Sequence, residues 1–423
     1  MKKIVSLLIA VLMLASMTVA FADDMPTLTI AVDTNASADG LQAVIDKARE
    51  DIGVNVEIQI RPGGDEGDNM VKAWIAAGEL PDLLYYNSGS KLNEMDPANN
   101  FVDLTAYPQI LERLNDSFKG SVSVGDGVYG IPMTSSQAGA VLYNKTIYKE
   151  LGLSVPTNWQ EFLDNCAKCK EAGYDGLIGT FGDSWTSQVL FLGDYYNVVT
   201  GYPTFADEFT AGTAKYATTP SAVRSFEKYS EVIPYYNEDY VVATYDDGVE
   251  YLAEGKGAHW IILTQALQNI DSLYGKEVVD EIGVFGVPAD DGNTGLTVWV
   301  ANGIYANKNG KNVDAALKFM EYYVSDAALD TYAGTLLPYG PFCINGYALG
   351  DDAYAAVAED MQSYFDANKT YVAQEFECPI KGANCESICI EVGTGAISAE
   401  EAAKIYDDDC YKMAVQLGFN WDK

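Results

Sequence analysis

The chain is poor in the groups most proteins use for chemistry near neutral pH. It has a single histidine, His259, in 423 residues, so any histidine-dependent catalytic triad would have to use a residue set in an apolar segment that reads as core. Basic residues are scarce as well. The 26 Lys and Arg stand against 61 Asp and Glu, a formal net charge of -35, which excludes a nucleic-acid binder that works by neutralising phosphates. Only 14 Pro accompany 48% hydrophobic residues, which excludes a disordered chain. Beyond residue 22 there is no apolar run of the roughly 18 residues that a membrane span needs. The sequence contains no GxSxG, no HExxH and no Gly-rich phosphate loop. It is rich in tyrosine, with 29. Such a composition favours a surface that grips by stacking and hydroxyl contacts over acid/base chemistry. The length is enough for two domains.

The first 22 residues have the pattern of a secretory signal peptide. Lys2 and Lys3 precede the apolar Ile4 to Leu14, and Ala20-Phe21-Ala22 is a small-x-small cleavage site. No Cys lies near it to accept a lipid anchor, so the expected product is exported and soluble, in the periplasm or at the cell surface. Seven Cys in an exported chain leave at least one unpaired. Cys166 and Cys169 lie at helical spacing behind Phe162 and read as buried thiols. For Cys343, Cys378, Cys385, Cys389 and Cys410, one or two disulfides are expected ahead of a metal site, because the spacings are too loose for zinc.

The N-terminal stretch reads as a βαβ unit. Leu28 to Val32 is a short apolar strand, and Leu41, Val44, Ile45, Ala48 and Ile52 recur at helical spacing up to Gly53. Val54, Val56, Ile58 and Ile60 then alternate as a strand. A second helix from Asp68 stops at Gly78, and Leu83 to Tyr86 forms the next strand. Strands joined this way imply a parallel sheet, with ligand sites beyond the strand C-termini. A second α/β unit follows, with strands at Val141 to Tyr143, Ile282 to Val287 and through Val298 and Val300. A capping box is expected at Thr157 to Gln160, an Asn312 cap on the helix carrying Phe319, and a second capping box at Ser398 and Glu401.

Gly78-Glu79-Leu80-Pro81-Asp82 resembles the "GelPD" signature of bacterial extracellular solute-binding proteins of the maltose and oligosaccharide class (family 1), the receptor components of ABC importers. Val128-Tyr129-Gly130-Ile131-Pro132, Leu142-Tyr143-Asn144-Lys145, Leu151-Gly152-Leu153 and Pro156-Thr157-Asn158-Trp159 are similar to further blocks of that family, in its usual order. Gly255-Lys256-Gly257-Ala258 and Ala315-Ala316-Leu317-Lys318-Phe319 resemble two more. The resemblance implies an α/β, two-lobed periplasmic-binding-protein-like fold, each lobe a mainly parallel sheet flanked by helices, with the ligand cleft between lobes. It places an N-terminal lobe at 23–136 plus about 299–340 and a C-terminal lobe at about 137–298 plus 341–423. The chain crosses near Met133 to Gln137, Asp290 to Trp299, and Leu337 to Ile344.

The same resemblance implies a monomeric receptor that closes on a carbohydrate and delivers it to membrane permease subunits, with no cofactor, no metal and no catalysis. Its implied ligand residues start with Tyr86 after the Pro-Asp strand and Trp185 in a turn-like stretch. They continue with the polar Gln137, with Asp33 and Asn35 beyond the first strand, and with Trp299, equally suited to core packing or cleft lining. After Ala258 the sequence departs from the family, because Gln265 stands where relatives carry a stacking Trp. That argues against a long maltodextrin-like ligand and for a mono- to short oligosaccharide. A same-fold receptor for a polyamine or metal ion, or a secreted carbohydrate-active enzyme using two carboxylates, are the competing readings.

Overall fold

In the computed structural model, which describes residues 25–34, 36 and 38–421, the apolar runs become two sheets that share the chain. The expected signal peptide and Asn35 lie outside the described residues. Strand β1 (Thr27–Asp33) is buried along most of its length, and helix α1 (Asp39–Ile52) lays Leu41, Val44, Ile45 and Ala48 on the core before ending at the left-handed Gly53. Strand β2 (Asn55–Arg61), helix α2 (Gly64–Ala77, closed by the left-handed Gly78) and strand β3 (Leu83–Tyr86) complete the unit. Strand β4 (Gly130–Pro132) lies in the same sheet. The chain then leaves it for β5 (Gln137–Asn144) of the second sheet.

Helix α3 (Trp159–Glu171) sets Phe162 against that second sheet, whose further strands are β6 (His259–Leu263), β7 (Ile282–Gly286) and β8 (Leu296–Trp299), and helix α4 (Pro220–Val232) packs among the helices of the same half. Strand β9 (Gly303–Ala306) is back in the first sheet, followed by α5 (Val313–Tyr323) and α6 (Asp326–Thr335). The chain then returns to the second sheet with β10 (Thr370–Val372) and ends in α7 (Cys385–Gly393) and α8 (Ala399–Gln416).

The first sheet has the order β2-β1-β3-β9-β4. Its first three strands are parallel, as the βαβ pattern requires, while β9 runs antiparallel to both β3 and β4. The second sheet departs further from the expected parallel arrangement. Strand β5 is antiparallel to β6, β7 and β8, and only β8 with β10 is parallel. In the first sheet the parallel pairs are those joined by local crossovers, and β9, which returns from the second sheet, enters from the opposite end; in the second sheet β6 and β7 follow β5 and still pair with it antiparallel, while β8 and β10 are parallel although the chain visits the first sheet between them.

Local signals fare well. Ser398 accepts from the Glu401 amide as expected. The cap of α3 is shifted by one residue: Asn158 accepts from the Glu161 amide, and the Glu161 carboxylate reaches back to Thr157. Asn312 opens α5 without capping it, its side chain donating to Asp82 instead. The cysteine expectation needs correction. All seven are free, buried thiols, small polarisable groups that fill apolar volume. Cys385 and Cys389 sit one turn apart on α7, and Cys410 lies on α8, which packs against it.

Two buried polar clusters sit in the second half. Lys228 and Asp194, both 1% exposed, pair at 2.5 Å; Asp194 also accepts from Ser225 and Asn197, and Lys228 donates to the Pro288 carbonyl. Removing one partner leaves the other charge buried and unpaired. Lys228→Met should therefore lower unfolding free energy by about 3–5 kcal/mol, and adding Asp194→Leu should restore part of it; urea melts of both variants check this. A full loss with no recovery in the double variant would mean packing, not charge, is at stake.

His259 is fully buried, its Nε2 2.6 Å from the Tyr148 hydroxyl and its Nδ1 2.6 Å from the Gly176 carbonyl. Burial pulls its pKa down to about 4. Between the ordinary histidine value and that one, the unfolded chain binds a proton that the folded chain refuses, so this contribution is intact at pH 7 and is lost as pH falls from about 6.5 to about 4. The loss amounts to roughly 3 kcal/mol. Relative to His259→Gln, the wild type should lose stability over that window; parallel stability curves would remove His259 as the cause.

Candidate ligand cleft

The passages between sheets converge on one place. Met133 to Ser136 leads from β4 to β5, and Val300 to Asn302 leads from β8 to β9. The two are bonded through the Met133 amide and the Asn302 carbonyl at 3.1 Å. The third passage, beyond α6, joins them where the Ser136 amide and hydroxyl both donate to the Pro341 carbonyl. Beside these passages opens a cavity of about 910 Å³, which shares walls at Asp68, Tyr85, Asn87, Lys91 and Asn302 with an adjoining pocket of about 310 Å³. Sizes of this order suit a small-molecule ligand.

On the first-sheet side, strand β3 delivers Tyr85 to the cleft. Its hydroxyl accepts from Asn302 Nδ2 at 3.0 Å, its carbonyl accepts from Arg61 at 3.1 Å, and burial pushes its phenol up to about 12, so it stays a neutral donor at any physiological pH. Arg61, at the end of β2, is 3% exposed and lies 3.6 Å from Asp33. Its Nε is buried with no protein partner. Helix α2 contributes Asp68, which is paired to Lys91 at 2.9 Å.

Next to the passages stand Gln137, the first residue of β5, and Trp299, the last of β8, and from the third passage comes Tyr339. Trp299 packs its ring where Gly139 has no side chain: a Cβ there would lie 2.8 Å from the indole. The indole Nε1 donates to Glu375 at 2.9 Å, which fixes the plane of the ring. Gln137 Oε1 is buried with no partner in the protein. An unsatisfied buried carbonyl costs about 1–3 kcal/mol unless something donates to it, and the residue that carries it borders the cavity.

The second-sheet side is supplied by the C-terminal part of the chain, from Glu375 to Lys381 and from Met413 and Leu417 near the end of α8. This segment also touches the first half directly: Ser90 Oγ donates to the Glu375 carbonyl at 2.8 Å. The cleft thus combines aromatic faces, amides, hydroxyls and paired charges, a lining that can stack on a ring and exchange hydrogen bonds with many hydroxyls. Among the described residues no group of His, Cys, Asp and Glu is arranged to hold a metal ion.

Residues 33–330 match the family of bacterial extracellular solute-binding proteins. The chain belongs to that family. A multiple sugar-binding protein of Streptococcus mutans is 25% identical to this solute-binding protein over 305 residues, 68% of each chain. A melibiose/raffinose/stachyose-binding protein of Bacillus subtilis is 26% identical over 169 residues, 37% of this chain and 38% of that one. In fold, the solute-binding protein is similar to the apo form of RafE from Streptococcus pneumoniae, with a TM-score of 0.74 at 19% identity, over 93% of this chain and 99% of the other. The two-lobed α/β architecture is that of the family.

Of the residues singled out from the sequence, the structure brings Gln137 and Trp299 together in the main cavity and Asp33 into the adjoining pocket. Tyr86 is elsewhere. It is fully buried beneath the Arg61 guanidinium, with its hydroxyl donating to Asp68 at 2.9 Å, and its neighbour Tyr85 takes the cleft position. Neighbouring side chains on a strand point to opposite faces, so one of two adjacent tyrosines must turn away. Trp185, on the short helix Ser184–Ser187, does not line the cavity; its ring packs 5.3 Å from that of Tyr245. Gln265, directly before the helix Ala266–Tyr274, also lies outside the lining. Arg61, Tyr85, Asn302 and Glu375 were missed. For Arg61 a signal existed, a charged residue closing an apolar strand; for Glu375 none did, since only tertiary packing brings it to Trp299.

These placements separate cleft from core. Trp299→Ala should weaken ligand binding by about 1–3 kcal/mol with a small change in Tm, whereas Tyr86→Ala should cost about 3–5 kcal/mol of stability. Thermal melts with and without ligand distinguish the two, and a reversed pattern would put Tyr86 in the site and Trp299 in the core.

Proposed function

We propose that this protein is the extracellular receptor of an ABC importer, capturing a mono- to short oligosaccharide in the cleft and handing it to membrane permease subunits. The observation that carries the reading is the buried, partnerless Gln137 carbonyl beside the Trp299 indole: one seeks a hydroxyl donor and the other offers a flat apolar face, the two things a sugar ring supplies together. The names of the relatives, a multiple sugar-binding protein of Streptococcus mutans and a melibiose/raffinose/stachyose-binding protein of Bacillus subtilis, support the same class. The ligand contacts are Gln137, Trp299, Tyr85, Asn302, Arg61 and Asp33. The lobes are residues up to Ser135 with about 301–345, and the remainder.

The mechanism follows from the passages. Three short segments joined by a few backbone bonds let the halves rotate, and a ligand that touches both favours the closed arrangement by its extra contacts there. That arrangement is what a permease distinguishes from the empty receptor. The protein works as a monomer outside the cytoplasm, and it binds without turnover: among the described residues no pair of cleft carboxylates stands free of a cation partner to act as acid and nucleophile.

A thermal-shift screen of the full chain against neutral mono- to tetrasaccharides, polyamines and divalent metals tests this. Stabilisation by one or more sugars is expected, with sugar recovered intact after incubation. Stabilisation by a polyamine or metal alone, or recovery of shortened sugar, would overturn the reading.

A further inference from the structure

We propose that the cleft is specific for uncharged saccharides and rejects both uronate and amino sugars, through four ion pairs built into its walls; this rests on the carbohydrate reading above. The charged residues among the described lining of the two adjoining cavities are Asp33, Arg61, Asp68, Lys72, Lys91, Glu94, Glu375 and Lys381. They form four couples without remainder. Arg61 lies 3.6 Å from Asp33, Lys91 2.9 Å from Asp68, Lys72 2.7 Å from Glu94 and Lys381 3.6 Å from Glu375. A chain with a formal charge of -35 and more than two acids for every base thus keeps its cleft balanced.

The balance has a chemical consequence. A sugar hydroxyl both donates and accepts, so an ammonium or guanidinium beside a carboxylate offers vicinal hydroxyls an acceptor and a donor side by side. A uronate meets the same pairs differently. Every cation it could reach already faces a carboxylate, which repels the newcomer, and the ligand loses hydration without gaining an exclusive partner. An amino sugar meets the mirror-image problem at the carboxylates. Rejection of the wrong charge is therefore distributed over the walls, an unfavourable element built against competitors.

The pairs differ in weight. Lys72 and Glu94 are each nearly half exposed and contribute little discrimination, whereas Arg61 and Asp33, with side chains 2% and 14% exposed, and Asp68, at 16%, are held where solvent screens them least. Asp68 is further anchored by the Tyr86 hydroxyl. Glu375 is held by the Trp299 indole, so a charge brought to it also disturbs the stacking face.

Titration calorimetry of the full chain at low salt is the test. It uses neutral trisaccharides (raffinose, cellotriose, xylotriose, maltotriose), trigalacturonate, and the glucosamine trimer. At least one neutral sugar should bind, with both charged trimers weaker by at least about tenfold. Lys91→Met, which strips Asp68 of its cation, should raise affinity for the glucosamine trimer relative to the neutral sugar by about tenfold, and Glu375→Gln should do the same for trigalacturonate. Wild-type binding of either charged trimer as tight as the best neutral one would overturn the inference and leave the carbohydrate receptor standing, as would two folded variants with unchanged charged-to-neutral ratios. If no saccharide of any charge binds, the receptor reading falls and this inference with it.

Discussion

The constraint on which the rest of the structure depends is that the chain must pass between two sheets three times within one small region. Each passage carries backbone amides and carbonyls out of regular pairing, and buried backbone groups demand partners. They find them in one another: Met133 with Asn302, Ser136 with Pro341, and Ser135 in a bridge with Phe342. The region is thereby held together without becoming part of either sheet. Because strands end there, the side chains at strand ends and in the passages face the same gap, and Gln137, Trp299 and Asn302 meet within it although they are spread over more than 160 positions of sequence.

The Pro-Asp segment that makes the sequence resemble its family serves this geometry and not the ligand. Asp82 accepts from the Thr29 amide and hydroxyl, and its own amide and carbonyl bond Thr29 Oγ1 and the Asn307 amide. It therefore ties β1, β3 and the segment after β9 at the end of the sheet away from the cleft. Gly78 just before it turns the chain out of α2 in a left-handed conformation. A motif of this kind is legible because its first demands are local, a helix stop and a turn, even though its carboxylate reaches the distant Thr29 and Asn312.

What was legible in the sequence follows the same division. Elements whose periodicity is closed by a cap or a glycine, such as α1, α2 and α8, could be placed from a few neighbouring residues. Strand direction in the second sheet could not, because β5 pairs with strands more than 110 positions away and nothing in an apolar run states from which end it enters. The cleft was half legible for a related reason. The end of β3 could be recognised as facing it, but the choice between Tyr85 and Tyr86 turns on a register of one residue. Trp185 in a polar loop suggested exposure; the structure instead supplies it with an aromatic neighbour, Tyr245, from a helix sixty positions later.

The C-terminal segment was the least legible part and has the greatest effect on the site. Nothing in Gln374 to Lys381 marks it as a wall, yet Glu375 alone makes three contacts that matter: its carbonyl holds Ser90 of the opposite half, one carboxylate oxygen orients the Trp299 indole, and the other lies 3.6 Å from Lys381. The β10 strand immediately before it is anchored in the second sheet beside β8, which carries Trp299. The aromatic face and the residue that aligns it therefore ride on paired strands of one half, while the group that touches Ser90 reaches across to the other. Movement of the two halves must change the Ser90 contact before it changes the Trp299 contact, since the first crosses the gap and the second does not. The stacking face is preorganised within one half, and the ordering entropy that remains to be lost on closure falls on the contacts of the other.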